Sequence, residues 1–237
     1  MTKVLISAPL RQQPKIFREY QKGLDSLILP DGVKADRFFV VNDCPEVIPE
    51  IRNADWVEVN SDSVTVYQDH VWTGNLVSAV ATYRNMTIRR ALEGGYDYLL
   101  SVDTDLVLEP HTLEYLLKAD KDCVAGLFWT NGWSNAWMYD QCTGNHMPEW
   151  DTPGTYQVGG TGALFLIKRK VLEAGVDYTP IPNLRKAVFG EDRHFCIRAI
   201  CNGFEIWVDN HCQPVHLYKN KQYDDYMGGR MKTCLLK

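Results

Sequence analysis

Short apolar runs alternate along this chain with amphipathic stretches, and its length suits a single core. Together these predict a one-domain α/β protein in which helices cover a mostly parallel sheet. A third observation, a pair of acids closing one of the apolar runs, fits the ligand-binding edge of such a sheet. The 237 residues are 45% hydrophobic, enough to bury a sizeable core without disulfide or metal staples. Val4 to Ala8 reads as the first strand. Ile16 to Ile28 follows as a helix, because Phe17, Tyr20, Leu24, Leu27 and Ile28 recur at spacings of three and four until Pro30-Asp-Gly32 ends it. Phe38 to Val41 is the second strand and Trp56 to Val59 a shorter third. The polar stretch from Asn60 to Asn75 reads as a loop. Ser78 to Leu92 has helical character and stops at Gly94-Gly95, which delivers the chain into the strand Tyr98 to Val102.

Beyond it, Pro110 to Lys118 reads as a helix and Cys123 to Trp129 as a strand with a structural tryptophan at its end. Thr130 to Gly154 carries Trp133, Trp137, Tyr139, His146 and Trp150 among Asn, Gly and Pro without sustained period, the composition of a lid or binding loop. Ala163 to Ile167 is the next strand, Lys168 to Ala174 a short helix, and Gly190-Glu191-Asp192 opens a helix that Gly203 stops. Phe204 to Val208 and Pro214 to Leu217 complete the strands.

Several classes are disfavoured. A formal net charge of -5 with interleaved signs gives no general reason for a polyanionic partner. Lys219, Lys221, Arg230 and Lys232 with Tyr218, Tyr223 and Tyr226 form only a thin basic and aromatic signal. Seven cysteines, an odd number without CxxC spacing, argue against a disulfide framework or a structural zinc, and a reducing, cytoplasmic compartment is expected. No apolar run reaches membrane-spanning length. Gly159-Gly-Thr-Gly162 lacks the ending of a phosphate-binding P-loop, so it supports no ATPase reading.

The informative motif is Asp103-Thr-Asp105 at the mouth of a buried strand. Residues i and i+2 of an extended segment face the same side, so both carboxylates can converge on one divalent cation, and hard oxygen ligands suit Mg²⁺ or Mn²⁺. The alternative use of Asp-x-Asp is to end the strand and cap a turn.

The order of Val4-Leu-Ile-Ser-Ala-Pro-Leu-Arg11, Val40-Val-Asn-Asp43, Tyr83-Arg-Asn85, Asp103-Thr-Asp105, Gly159-Gly-Thr-Gly-Ala163 and Gly190-Glu-Asp192 resembles the GT-A-type glycosyltransferases, particularly the group that includes cellulose and chitin synthases. The resemblance runs from about residue 4 to 217 and implies a Rossmann-like GT-A-type sheet. Residues 1–105 would be its nucleotide-sugar-binding half and 106–237 its acceptor-binding and catalytic half. It implies that Asp105 contacts Mn²⁺ or Mg²⁺, that Asp103 binds the metal or the ribose, and that a late histidine completes the site, His216 with His211 competing. Pro9, Arg11, Asp43 and Arg84 match positions near the nucleotide, with Asn85 beside Arg84. Asp192 is the implied general base, with Glu191 the competing choice. The implied donor is a nucleoside diphosphate sugar, UDP-sugar ahead of GDP-sugar. The acceptor is a hydroxyl on a glycan, lipid-linked intermediate, protein, small molecule or modified nucleic-acid base. The chain lacks the Gln-x-x-Arg-Trp sequence of processive polymer synthases, so transfer of a single sugar is expected, and Asn42-Asp-Cys-Pro45 departs from the group's usual run after the second strand. A nucleotidyltransferase acting on sugar phosphates and a non-catalytic nucleotide-sugar-binding module are the competing readings.

Overall fold

The central strand β1 (Thr2–Leu10) owes its place to a mostly apolar run: Val4, Leu5, Ile6, Ala8 and Leu10 are all buried, as in a strand covered on both faces, and the buried Ser7 hydroxyl donates to the Phe38 carbonyl. The structure is a computed structural model that describes residues 1–60, 74–138, 150–182, 184 and 190–231. The loop expected over residues 60–75, the Tyr139 and His146 part of the aromatic segment, Cys142, Lys232 and Cys234 lie wholly or largely outside the described residues.

From β1 the chain passes through α1 (Pro14–Asp25) to β2 (Val33–Asn42), a 3-10 turn at Pro45–Glu50, and β3 (Asp55–Val59). Next come α2 (Gly74–Glu93), β4 (Tyr98–Val102), β5 (Leu106–Val107), α3 (Thr112–Lys118) and β6 (Cys123–Gly126). A small hairpin of β7 (Trp129–Thr130) and β8 (Trp133–Ser134) precedes β9 (Thr155–Val158), β10 (Leu164–Lys168) and α4 (Arg169–Glu173). The chain closes with α5 (Glu191–Cys201), β11 (Ile206–Asp209), β12 (Val215–His216) and α6 (Asn220–Met227).

Eight strands form one sheet in the order β3-β2-β1-β4-β10-β6-β11-β9. The pairs β1–β2, β2–β3, β1–β4 and β6–β11 are parallel, whereas β10 runs antiparallel to both β4 and β6, and β9 to β11. Alternation along β1 splits the core. Val4, Ile6 and Ala8 pack with Phe17, Tyr20 and Leu24 of α1 and with Leu113 and Leu116 of α3, while Leu5 faces Ala81 and Ile88 of α2 and the cluster around Phe165 and Phe195. Each helix therefore covers the face its own apolar stripe selects.

Most expected elements are present with shifted ends. α1 stops at Asp25, before the expected end at Ile28, because Ile28 leaves the helix to donate to the Pro110 carbonyl. The strand expected to run from Cys123 to Trp129 ends at Gly126, and Trp129 is 36% exposed on the hairpin instead of buried as a structural end. The hairpin, β9 and α6 arise where no element was expected. Among the described residues no helix is long and apolar enough to cross a membrane, and Cys44, Cys123, Cys196, Cys201 and Cys212 are free thiols.

Candidate active site

β4 is buried to its end at Val102, and the N–H of the next residue, Asp103, donates to the Ala163 carbonyl at 2.7 Å, so the residue before β10 fixes where the acidic pair begins. The chain turns at once, the Leu106 N–H bonding the Asp103 carbonyl at 3.1 Å, and forms β5. Pairing of β5 with β12 sets His216 opposite Leu106, and the Leu217 N–H donates to the Asp105 carbonyl at 2.8 Å. This two-residue ladder brings His216 Nε2 to 3.3 Å from Asp105 Oδ2. His211 goes elsewhere: its ring stacks on Tyr115 at 4.5 Å and its Nδ1 meets the Asp209 carboxylate at 3.0 Å. Of the two histidines, His216 is the one brought to the acidic pair.

A cleft of about 430 Å³ joins these residues, with Asp103, Asp105, Asn135, Trp137, Gly162, Asp192, His216 and Lys219 in its wall. Asp192 is in the first turn of α5, where the helix dipole favours negative charge. Its carboxyl is nevertheless held well above the usual carboxylate range, first by burial and then by the charge of Glu191. Gly162 makes room for it: a Cβ there would stand 2.0 Å from Asp192 Oδ2. Glu191 faces inward and is absent from the described lining of the cleft; its carboxylate accepts from Arg84 Nε at 3.1 Å.

Arg84, expected near the donor and paired with a phosphate or a sugar-contacting acid, is 2% exposed and lines neither described cleft. Its Nη1 donates to Ser101 Oγ at 2.8 Å and its Nη2 to Asp103 Oδ1 at 2.7 Å. One guanidinium thus anchors the acid before the metal-binding candidate and the acid beside the base candidate. Burial opposes its charge, yet Asp103, Asp192 and Glu191 keep it cationic. Asp103 is itself pushed up from the usual carboxylate range, by desolvation first, against the lowering effect of Arg84. Asn85 serves the backbone, accepting from the Tyr178 N–H at 2.9 Å and donating to Thr179 Oγ1 at 3.0 Å.

A second recess of about 280 Å³ lies beyond the carboxyl ends of β1 and β2, lined by Arg11, Gln12, Gln13, Asp43, Cys44 and Glu46. Asp43 adopts a left-handed backbone, φ 47°, and Asn42 Nδ2 donates to its carboxylate at 3.0 Å. Pro9 lies within β1 opposite Val40 and is not among the described lining residues. Gln12 and Gln13 carried no signal in the sequence, since amides between a strand and a helix usually serve as linker polarity. The basic and aromatic residues after His216 are largely spoken for: Lys221 and Arg230 both pair with Asp225, and Lys15 lies over the Tyr223 ring at 4.8 Å.

Among the described residues no group of three His, Cys, Asp or Glu side chains stands ready to hold a metal ion. Asp105 and His216 still fit one as a pair. Two ligands at right angles, each about 2.1 Å from a small cation, are about 3 Å apart, and Mg²⁺-type ions are commonly held by one or two protein ligands plus substrate phosphates. The Asp105 oxygen and His216 nitrogen, 3.3 Å apart, meet that spacing. Asp103 is 2.7 Å from Arg84 and stands as a neighbour of that pair.

The described strands in this order, with helices on both faces, have the GT-A-type fold. Solved structures share it at low sequence identity. The mannosyltransferase PcManGT from Pyrobaculum calidifontis, in complex with GDP-Man and Mn²⁺, matches with TM-score 0.55 and 14% identity over 89% of this chain and 56% of that one. S. aureus TarS 1-349 matches with TM-score 0.53 and 14% identity over 90% and 60%, and its complex with UDP-GlcNAc with 0.51 and 12% over 90% and 58%. The chain therefore spans little more than half the length of these neighbours. No protein-family model and no curated protein matches the sequence.

Proposed function

We propose that this chain is a metal-dependent glycosyltransferase that moves one sugar from a nucleoside diphosphate sugar to an acceptor hydroxyl, with inversion and with Asp192 as the base. The observation that carries the reading is the shared cleft: Asp105 and His216 converge at one part of its wall, and Asp192 stands in the same wall. Support comes also from the GDP-Man with Mn²⁺ and the UDP-GlcNAc held by proteins of the same fold.

In this reading residues 1–105 supply the donor side and 106–237 the acceptor and catalytic side. The recess lined by Arg11 and Asp43 takes the nucleotide, with UDP preferred to GDP. Asp105 and His216 hold Mn²⁺ or Mg²⁺, which when bound offsets the charge of the diphosphate and of the departing nucleotide. Asp103, oriented by Arg84, binds beside them. Asp192 accepts the acceptor's hydroxyl proton. Burial, which raises its pKa from the usual carboxylate range, makes it a stronger base than an exposed aspartate. Glu191, tied to Arg84 behind the cleft, maintains the charge that keeps Asp192 basic.

The test is a panel of UDP- and GDP-sugars with candidate acceptors, with and without Mn²⁺, scored for nucleoside diphosphate release. Asp105→Ala is expected to abolish release and metal-dependent donor binding. Asp192→Ala is expected to retain donor binding and lose transfer. Release of pyrophosphate instead would assign a nucleotidyltransferase, and tight donor binding without any turnover a binding module.

A further inference from the structure

The β7–β8 hairpin stands over the cleft and is braced on several sides. Its two-residue turn uses Asn131, φ 51°, and Gly132, φ 82°, the pair of left-handed residues that a tight hairpin turn requires. Asn135, just after it, accepts from the Phe128 N–H at 3.0 Å and donates to the Gly126 carbonyl at 3.0 Å, closing the base of the hairpin. Trp129 Nε1 donates to Gln213 Oε1 at 3.2 Å, and Tyr218 bonds Asn131, tying the hairpin to the segment on either side of β12. Within this frame Thr130 Oγ1 lies 2.9 Å from His216 Nδ1, and Phe128 packs edge-on against the imidazole with ring centres 5.0 Å apart.

We infer that Thr130 is a positioning residue that aims His216 Nε2 at the metal position beside Asp105, so that the hairpin, with no metal ligand of its own, sets metal affinity. This rests on the proposed reading of Asp105 and His216 as metal ligands. An imidazole that binds a cation through Nε2 must carry its proton on Nδ1, and a ligating histidine normally gives that proton to a nearby acceptor. Thr130 supplies such an acceptor at hydrogen-bond distance. A hydroxyl also donates, so the same contact survives when Nε2 carries the proton and points it at Asp105 Oδ2, 3.3 Å away. Thr130 thus holds one ring orientation in both states, and the ring need not flip for the metal to enter. Valine has the shape of threonine without either function.

The experiment titrates Mn²⁺ into wild type, Thr130→Val, Thr130→Ser, His216→Ala and the Thr130→Val/His216→Ala double variant, with saturating UDP or GDP and no sugar. Free Mn²⁺ is read from its electron paramagnetic resonance signal, so no turnover is needed. Thr130→Val is expected to weaken Mn²⁺ binding by roughly 10- to 100-fold, the usual range for loss of a partner behind a ligand. Thr130→Ser should restore most of it. The double variant should bind no worse than His216→Ala, because Thr130 acts only through that ring. Wild-type affinity in Thr130→Val, while His216→Ala is weakened, would overturn the role of Thr130 and leave the metal reading standing. A wild-type protein that binds no Mn²⁺, or His216→Ala binding as wild type does, would overturn the metal reading and this inference with it.

Discussion

Asp192 shows how much a single position can depend on its surroundings. In isolation it is an acid in the first turn of a helix, where the dipole would lower its pKa by a modest amount. Here burial and the neighbouring Glu191 charge outweigh both the dipole and Arg84, and the carboxyl is held well above its usual range. The folded protein therefore takes up a proton that the unfolded chain, with its acid near the ordinary value of about 4, has already released. From that ordinary value up to the raised folded one, stability contributed by this group falls as pH rises; at lower pH it is fully present. Asp192→Asn keeps the shape of the protonated acid and removes the titration. In metal-free protein the variant should gain stability relative to wild type as pH increases through this window, as measured by urea unfolding at a series of pH values. Parallel pH profiles for the two proteins would show that Asp192 is not perturbed.

At the scale of elements, the site depends on two very short strands and one hairpin. β5 and β12 contain two residues each, yet their pairing alone sets His216 against the residue that follows Asp105. The hairpin in turn holds Thr130 and Asn131 in the cleft wall. Its turn is the weak point, because a branched side chain resists the left-handed backbone at position 132. Gly132→Val should cost about 1–2 kcal/mol, the strain of a left-handed non-glycine residue, and the cost should be local. Hydrogen exchange should then accelerate at Trp133 and Ser134 while the amides of β1 and β4 keep their protection. Equal acceleration throughout would mean that the hairpin is part of the global folding unit.

For the whole molecule, Arg84 joins parts that no single element connects. It rises from α2, meets Ser101 and Asp103 at the end of β4, and reaches Glu191 at the start of α5. Removing a buried partner strands the charges it neutralised, so Arg84→Met should destabilise the protein by roughly 3–5 kcal/mol in equilibrium unfolding. Arg84→Lys should recover only part of that loss, since an ammonium cannot reproduce the planar fork that serves three acceptors. A change below about 1 kcal/mol, the level of an exposed pair, would contradict the bridging role.

Much of this arrangement was legible before any tertiary structure. Runs such as Tyr98 to Val102 and the helical spacing around Phe17 and Tyr20 are local patterns, and burial simply follows them, so the α/β architecture and the buried strand that leads to Asp103 were readable from the chain. Asp103 and Asp105 line one cleft by another route than the expected extended strand, because β4 ends at Val102 and the chain turns at Asp103. The partners were legible only in part: the family resemblance put His216 ahead of His211, and nothing local decided between them. That His216 and not His211 meets Asp105, that Arg84 turns inward to Glu191, and that Thr130 stands behind His216 are consequences of pairings between distant segments. The hairpin was missed because two-residue strands are too short to show a period, and α6 because it buries none of its residues. By itself the sequence determined the layers and the acids at their edge, because side-chain periodicity acts over a few residues. Only the tertiary structure decided which side chains face those acids, because that depends on strand pairing and packing between segments far apart in the chain.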